Sequence, residues 1–222
     1  MSRYVRFKLL AAPLLLLASF CLATPALAAT PAKAADAVAV LETKMALRDL
    51  WVEHVFWIRS YVLATKAGDQ AQRKVAEAEV VTNAKALAAT IKPFYGQAAA
   101  DGLLKLLAGH WAAVRDYDTA MVGHSQSGRD KAVQAITANA HEIAKFLSGA
   151  NPYLPEDAVF GLMSAHGAHH VAQINQIAAN DFRDEARTWQ AMRKHLLVIA
   201  DSITDALAKQ LPDRFRTSKP VT

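Results

Sequence analysis

The spacing of six polar residues constrains the fold of this chain more than any other feature. Their successive separations are 29, 27, 29, 27 and 29 residues, and a turn signal lies near the midpoint of each interval. The residues are His54, Asn83, His110, Asn139, His166 and His195. Because positions 56 residues apart carry identical or related side chains, the spacing predicts three copies of one helical hairpin.

Apolar residues surround each of these positions at steps of three and four, which is the period of an amphipathic helix. In the third helix, for example, Leu103, Leu107, Val114 and Tyr117 flank His110. Alanine is abundant and β-branched runs are scarce, which favours helix over strand. We therefore predict an all-α fold, an up-and-down six-helix bundle built from three repeated hairpins of period 56. The helices are expected at about 35–66, 69–92, 97–122, 129–148, 155–179 and 183–210.

The first 28 residues have the composition of a secretory signal peptide. Arg3, Arg6 and Lys8 precede an apolar run at 9–22 that is too short to span a bilayer, and a small-x-small sequence ends at Ala28. This pattern predicts cleavage after Ala28 and a periplasmic or secreted protein. The rest of the chain is divided into a linker at 29–34, a single helical-bundle domain at 35–211 and a polar tail at 212–222.

Charge and cysteine content exclude several classes of site. The sequence has 25 basic and 20 acidic residues, and loss of the signal peptide removes three basic residues and no acidic one, so the net charge falls from +5 to about +2. No basic run indicates nucleic-acid binding, and no stable membrane insertion is expected after cleavage. The one cysteine, Cys21, leaves with the signal, so neither a disulfide nor a thiolate ligand is predicted. Protein partners are not indicated.

The six polar positions are expected to lie at one level, because neighbouring ones are equidistant from the turn between their helices. Each is flanked by apolar residues on its own helix, so this level is expected to be buried. Three neutral imidazoles related by the repeat suit a transition metal such as zinc, copper, nickel or iron. The candidate ligands are His54, His110, His166, His195 and His170, the last because it lies one helical turn after His166. Asn83 and Asn139 are expected to orient the imidazoles from the second shell.

Other interpretations of the same layer stay open. The imidazoles and amides could form only a hydrogen-bonded core that sets the helix register of a structural or interaction protein. A metal-dependent enzyme is a further alternative, although no catalytic residue can be named and catalysis is not favoured. Haem held without covalent attachment by two facing histidines is ranked below a bare metal ion or another small cofactor.

The segment 50–59 carries the pattern Trp-x-x-His-Val-x-Trp-x-Arg from residue 51 onward. This pattern resembles a motif in a poorly characterised family of exported bacterial helical proteins. Four further segments are similar to that family, at 91–96, 106–110, 146–152 and 195–201, whereas 166–170 departs from it by its richness in histidine. The resemblance implies an exported or cell-envelope protein and implies no activity, cofactor or catalytic residue.

Overall fold

The computed structural model describes residues 34–215, which contain α-helices and no strand. The helices are α1 (Ala37–Ala67), α2 (Gln70–Ala89), α3 (Lys92–Tyr95), α4 (Gln97–Val122), α5 (Gln126–Ala150), α6 (Glu156–Ala178) and α7 (Phe182–Gln210), followed by a 3-10 helix at Pro212–Phe215. The predicted all-α class with six long helices is confirmed. The predicted signal peptide and nearly all of the predicted linker lie outside the described residues.

The six long helices pack as a closed ring in chain order. Each packs against the long helices before and after it, and α7 packs against α1. Helix α6 also contacts α1 and α4 across the ring. The helices that carry His54, His110 and His166 therefore meet in the interior of the bundle.

The predicted turn between the first two helices is confirmed. The end of α2 and the start of α5 differ from the prediction. Gly68 ends α1 in the left-handed conformation (φ 71°), and the Asp69 side chain accepts a hydrogen bond from the backbone N–H of Gln72 at the start of α2. Helix α2 ends at Ala89, earlier than predicted, because Pro93 has no backbone N–H to donate to the carbonyl of Ala89, four residues earlier. A separate short turn, α3, then follows.

The loop before α5 and the segment after α7 also differ from the prediction. The loop predicted at 123–128 is shorter, because the Ser125 hydroxyl accepts a hydrogen bond from the backbone N–H of Gly128 (3.1 Å) and so caps α5. The segment predicted as a polar tail begins with the 3-10 helix, and its Phe215 is buried with its ring centroid 5.1 Å from that of Phe94.

Two apolar clusters form the core, and the interior histidines lie where they meet. One cluster contains Trp51, Leu107 and Met163, and the other contains Ile58, Val114 and Ile174. On each of α1, α4 and α6, the buried histidine follows a residue of the first cluster and precedes a residue of the second. Among residues 34–215, no helix is both long enough and apolar enough to span a membrane.

Gly167 allows α5 and α6 to approach closely beside the interior histidines. A Cβ atom at this position would lie 2.5 Å from Cγ2 of Ile136 on α5, which is well inside van der Waals contact. Gly161, six residues earlier on α6, has no atom within 4 Å of the equivalent point. The absence of a side chain is therefore needed for helix packing at Gly167 and not at Gly161.

We expect Gly167→Ala to lower the free energy of unfolding by about 1–3 kcal/mol, because the added methyl group overpacks the α5–α6 interface. Gly161→Ala is the matched control and should raise it by up to about 1 kcal/mol, because alanine favours the helix. Urea unfolding of the metal-free proteins measures both values. Equal effects of the two substitutions would contradict the assigned role of Gly167.

Candidate metal centre

Four buried histidines gather in the centre of the bundle. His54 comes from α1, His110 from α4, and His166 and His170 from α6. Each of the four offers one ring nitrogen that lies within 4.8 Å of the other three. The side chains are between 0 % and 6 % exposed.

The chain brings these residues together in two ways. His166 and His170 are one turn apart on the same face of α6, so their rings are neighbours and their Nε2 atoms are 3.1 Å apart. The other two rings reach them from neighbouring helices, with centroid distances to His166 of 5.6 Å for His54 and 5.2 Å for His110. Three helices thus supply the four imidazoles.

Most polar atoms of this group have no hydrogen-bond partner within the protein. Both ring nitrogens of His54, Nε2 of His110 and Nδ1 of both α6 histidines are buried and unpartnered. A buried polar atom without a partner costs about 1–3 kcal/mol. The single contact inside the group, between the two Nε2 atoms of α6, leaves this deficit largely uncorrected.

Burial keeps all four imidazoles neutral. Desolvation is the largest cause of the low pKa of His54, about 3, and of His110, about 4. The pKa values of His166 and His170 lie well below the ordinary value for the same reason, and the neighbouring histidines lower them further. A neutral imidazole has a nitrogen lone pair free for a metal ion, so no proton must be displaced at neutral pH.

The two predicted second-shell residues lie beside the group and are anchored to the backbone. The Asn83 amide donates a hydrogen bond to the carbonyl of Leu50 (2.9 Å), and the Asn139 amide donates one to the carbonyl of Leu106 (3.0 Å). The Oδ1 atom of each asparagine is buried without a partner. The proximity of Asn83 to His54, and of Asn139 to His110, partly offsets the lowering of the pKa of each histidine, although neither pair has the geometry of a hydrogen bond.

His195, a candidate ligand from its sequence position, is not a member of the four-histidine group. Its Nε2–H donates a hydrogen bond to the carbonyl of Leu162 (2.8 Å), across the same separation of 33 residues as in the two asparagine contacts. Its ring lies 5.4 Å from that of the half-buried His169. Histidine therefore occupies an asparagine-like position here, because an imidazole N–H can replace the amide donor.

The four nitrogens can surround one ion after small adjustments of their side chains. Nitrogens about 2.0–2.1 Å from a tetrahedral ion lie about 3.3 Å apart, and the Nε2 atoms of the α6 pair are close to that separation. All separations within the group are at most 4.8 Å, so none would have to shorten by more than about 1.5 Å. No carboxylate belongs to the group, which distinguishes it from a di-iron site in a helical bundle.

The buried polar groups that were not predicted from the sequence include those of Trp51 and Asp118. Trp51 packs edge-on against His54 and His166, with ring centroids 5.8 Å apart in both pairs, and its Nε1 is buried and unpartnered. Its position one turn before His54 is the signal that could have indicated this role. Asp118 on α4 is also buried, with Oδ2 unpartnered. The sequence gives no signal for Asp118, because nothing in it shows which face of α4 becomes fully covered.

No protein-family model, curated protein or solved structure matches this chain.

We expect the buried Asp118 carboxyl to make stability depend on pH. Desolvation raises its pKa from 3.8 to about 6, although Thr65 and Arg73 act against the shift. Because the folded-state pKa is above the unfolded value, ionising Asp118 destabilises the fold, and this effect develops as pH rises from about 4 to about 6. At pH 7, Asp118→Asn should raise the free energy of unfolding by about 2–3 kcal/mol, from a shift of roughly two pKa units.

The measurement is urea unfolding of both proteins between pH 4 and pH 7. The gain should disappear at pH 4, where the wild-type carboxyl is protonated in the folded state. A constant difference between the two proteins across this range would contradict the raised pKa.

Proposed function

We propose that this protein is an exported helical-bundle protein that binds one transition-metal ion through His54, His110, His166 and His170. The observation that carries this proposal is the convergence of four neutral, buried imidazoles whose nitrogens are largely without partners in the protein. A metal ion bonded to these nitrogens would remove the energetic penalty of burying them.

The asparagine residues support the proposal from outside the group. A ligating histidine usually donates its second ring N–H to a nearby acceptor, which fixes the orientation of the ring. The unpartnered Oδ1 atoms of Asn83 and Asn139 are acceptors suited to His54 and His110. Each amide is already held by a backbone carbonyl, so it is oriented before the metal binds.

The proposal includes the threefold repeat of period 56. Three hydrogen bonds support it, because the residues at 83, 139 and 195 each donate to the carbonyl of a leucine 33 positions earlier. In the repeat, His54, His110 and His166 are equivalent positions. His170 falls outside the repeat, since the equivalent residues are Ile58 and Val114, and it supplies the fourth ligand.

The ligand chemistry favours a tetrahedral ion of low charge. Four neutral imidazoles cancel none of the charge of the ion, and a buried charge without a counter-charge is costly. Because the desolvation penalty grows with the square of the charge, Cu(I) is better suited to this interior than a divalent ion. Zn²⁺ shares the tetrahedral preference and is the next candidate.

The alternative of a hydrogen-bonded layer that only sets helix register is less well supported. Such a layer should satisfy its own polar atoms, whereas both nitrogens of His54 have no partner. Export and membership of the family that the 51–59 motif resembles remain part of the proposal on sequence grounds. Three basic residues, an apolar run and a small-x-small sequence precede residue 29.

We expect the purified protein, made without an affinity tag, to bind one equivalent of Zn²⁺ or Cu(I) in competition with a chromophoric chelator. His54→Leu should weaken binding by more than about 100-fold, beyond the 10–100-fold effect that is typical of losing an outer-shell partner. The matched control is His195→Asn, which places the residue of the equivalent repeat positions outside the group. It should bind metal as the wild type does.

The same variants distinguish the structural alternative. Metal-free His54→Leu should be as stable as the metal-free wild type or more stable, because it removes two unpartnered polar atoms from the core. A loss of about 1–3 kcal/mol in the metal-free state, together with unchanged metal affinity, would contradict the proposal and support a structural layer. Unfolding in urea with a chelator present gives the stability.

A further inference from the structure

A pocket lies at the end of the bundle where α1, α4 and α6 finish. Its lining comes from the last turns of these three helices and from the loop after α4. The pocket has a volume of about 220 Å³, and it opens to solvent beside the exposed side chains of Lys66 and Val122. At about 30 Å³ per molecule, this space corresponds to roughly seven water molecules, which is enough for a small organic molecule.

The wall of this pocket is apolar except at four residues. The apolar lining consists of Val62, Met121, Val122, Ile174, Ile177 and Ala178. Of the polar residues, Thr65 and Lys66 already donate hydrogen bonds to backbone carbonyls (2.9 Å and 2.8 Å), and His124 is exposed in the loop. The Asp118 carboxyl is therefore the buried polar group that a ligand of this pocket would meet.

Asp118 has no counter-charge in the fold. It is 4 % exposed, its Oδ2 has no hydrogen-bond partner, and it forms no ion pair within residues 34–215. Burial raises its pKa only to about 6, so at pH 7 the carboxyl is mostly ionised. A buried anion without a partner is costly. Residues that destabilise the fold in this way are typical of functional sites.

The helix ends around the pocket also favour a cation. The C-terminal residues of α1, α4 and α6 are Ala67, Val122 and Ala178, and each of these helix ends carries about half a negative elementary charge. The Lys66 ammonium bonded to the carbonyl of Ala178 is one cation that this end already binds. The same partial charges would repel an anionic ligand.

We propose that this pocket binds a small organic monocation, a primary ammonium group carried on a short apolar chain. The ammonium group pairs with the Asp118 carboxylate, and the chain packs against Met121, Ile174 and Ile177. A monocation matches the charge of the single carboxylate. A divalent metal ion such as Ca²⁺ or Mg²⁺ is not proposed, because it takes about six or more oxygen ligands and the lining does not supply them.

This site is separate from the four-histidine group. Asp118 follows His110 by eight residues (118 minus 110), which is about 12 Å along the axis of α4. None of the four histidines lines the pocket. The inference therefore does not depend on the proposed metal ion.

Calorimetric titration of the purified protein with n-butylammonium chloride at pH 7 tests the inference. We expect binding with a Kd of about 1 mM or tighter, as befits so small a ligand. 1-Butanol has the chain without the charge, and ammonium chloride has the charge without the chain. Each should bind at least about tenfold more weakly, because each lacks one of the two contacts.

Asp118→Asn should weaken binding of n-butylammonium at least about 30-fold, because it removes the counter-charge. The matched control is Asp116→Asn, which removes the same charge from the same helix. Asp116 is exposed and does not line the pocket, so this variant should bind as the wild type does. Since Asp118→Asn is expected to stabilise the fold, unfolding would not account for its loss of binding.

The position of the bound ligand is tested by methyl NMR spectra of the same protein. The ligand should shift the signals of Ile174 and Ile177, which line the pocket, and leave that of Ile143 in the other apolar cluster unchanged. Shifts at Ile143 alone, equal affinities of the two aspartate variants, or equally tight binding of 1-butanol would overturn the inference. Absence of binding at about 10 mM would also overturn it and would leave the proposed metal site untouched.

Discussion

The burial of four uncharged imidazoles at the junction of two apolar clusters is the constraint on which the rest of this structure depends. An imidazole is expensive to bury unless its nitrogens are bonded, and here most of them are not. Burial also lowers the pKa of each ring, so the group cannot relieve its own desolvation by taking up protons near neutral pH. The partner that we propose for these nitrogens is a cation that accepts lone pairs from several imidazoles. The ligand geometry and the ion that we propose are inferred from that deficit.

Three equivalent hydrogen bonds between helices position the histidines. In each helical hairpin, a side chain on the second helix donates a hydrogen bond to a leucine carbonyl on the first, one turn before a group histidine. Small residues allow this closeness: a Cβ atom at Gly109 would lie 3.3 Å from the Asn139 amide, and one at Gly167 would meet Ile136. On the outer side of the bundle, Arg59 holds the buried Glu185 of α7 and so fixes α1 against α7. The histidines are thus positioned by contacts that need no metal.

Much of this fold could be predicted from the pattern of residues, since apolar periodicity and turn signals both act locally. The bounds of α4 are those expected, and Gly68 and Asp69 form the predicted turn. The grouping of His54, His110 and His166 follows from helix geometry, because equal distances from turns place residues at equal heights, and His170 joins them because it lies one turn after His166. The exclusion of His195 could not be derived in this way, because it depends on the hydrogen bond that its Nε2–H donates to the carbonyl of Leu162. The burial of Asp118 and the pocket beside it depend on how side chains from several helices fit together, which no single segment encodes.

The central claim is that one ion is bonded to these four imidazoles. X-ray absorption spectroscopy of the protein loaded with one equivalent of Zn²⁺ or Cu(I) measures the ligand shell directly. The account predicts nitrogen neighbours at about 2.0–2.1 Å and outer-shell scattering from four imidazole rings. A shell dominated by oxygen, or a spectrum with fewer than four imidazole rings, would contradict it.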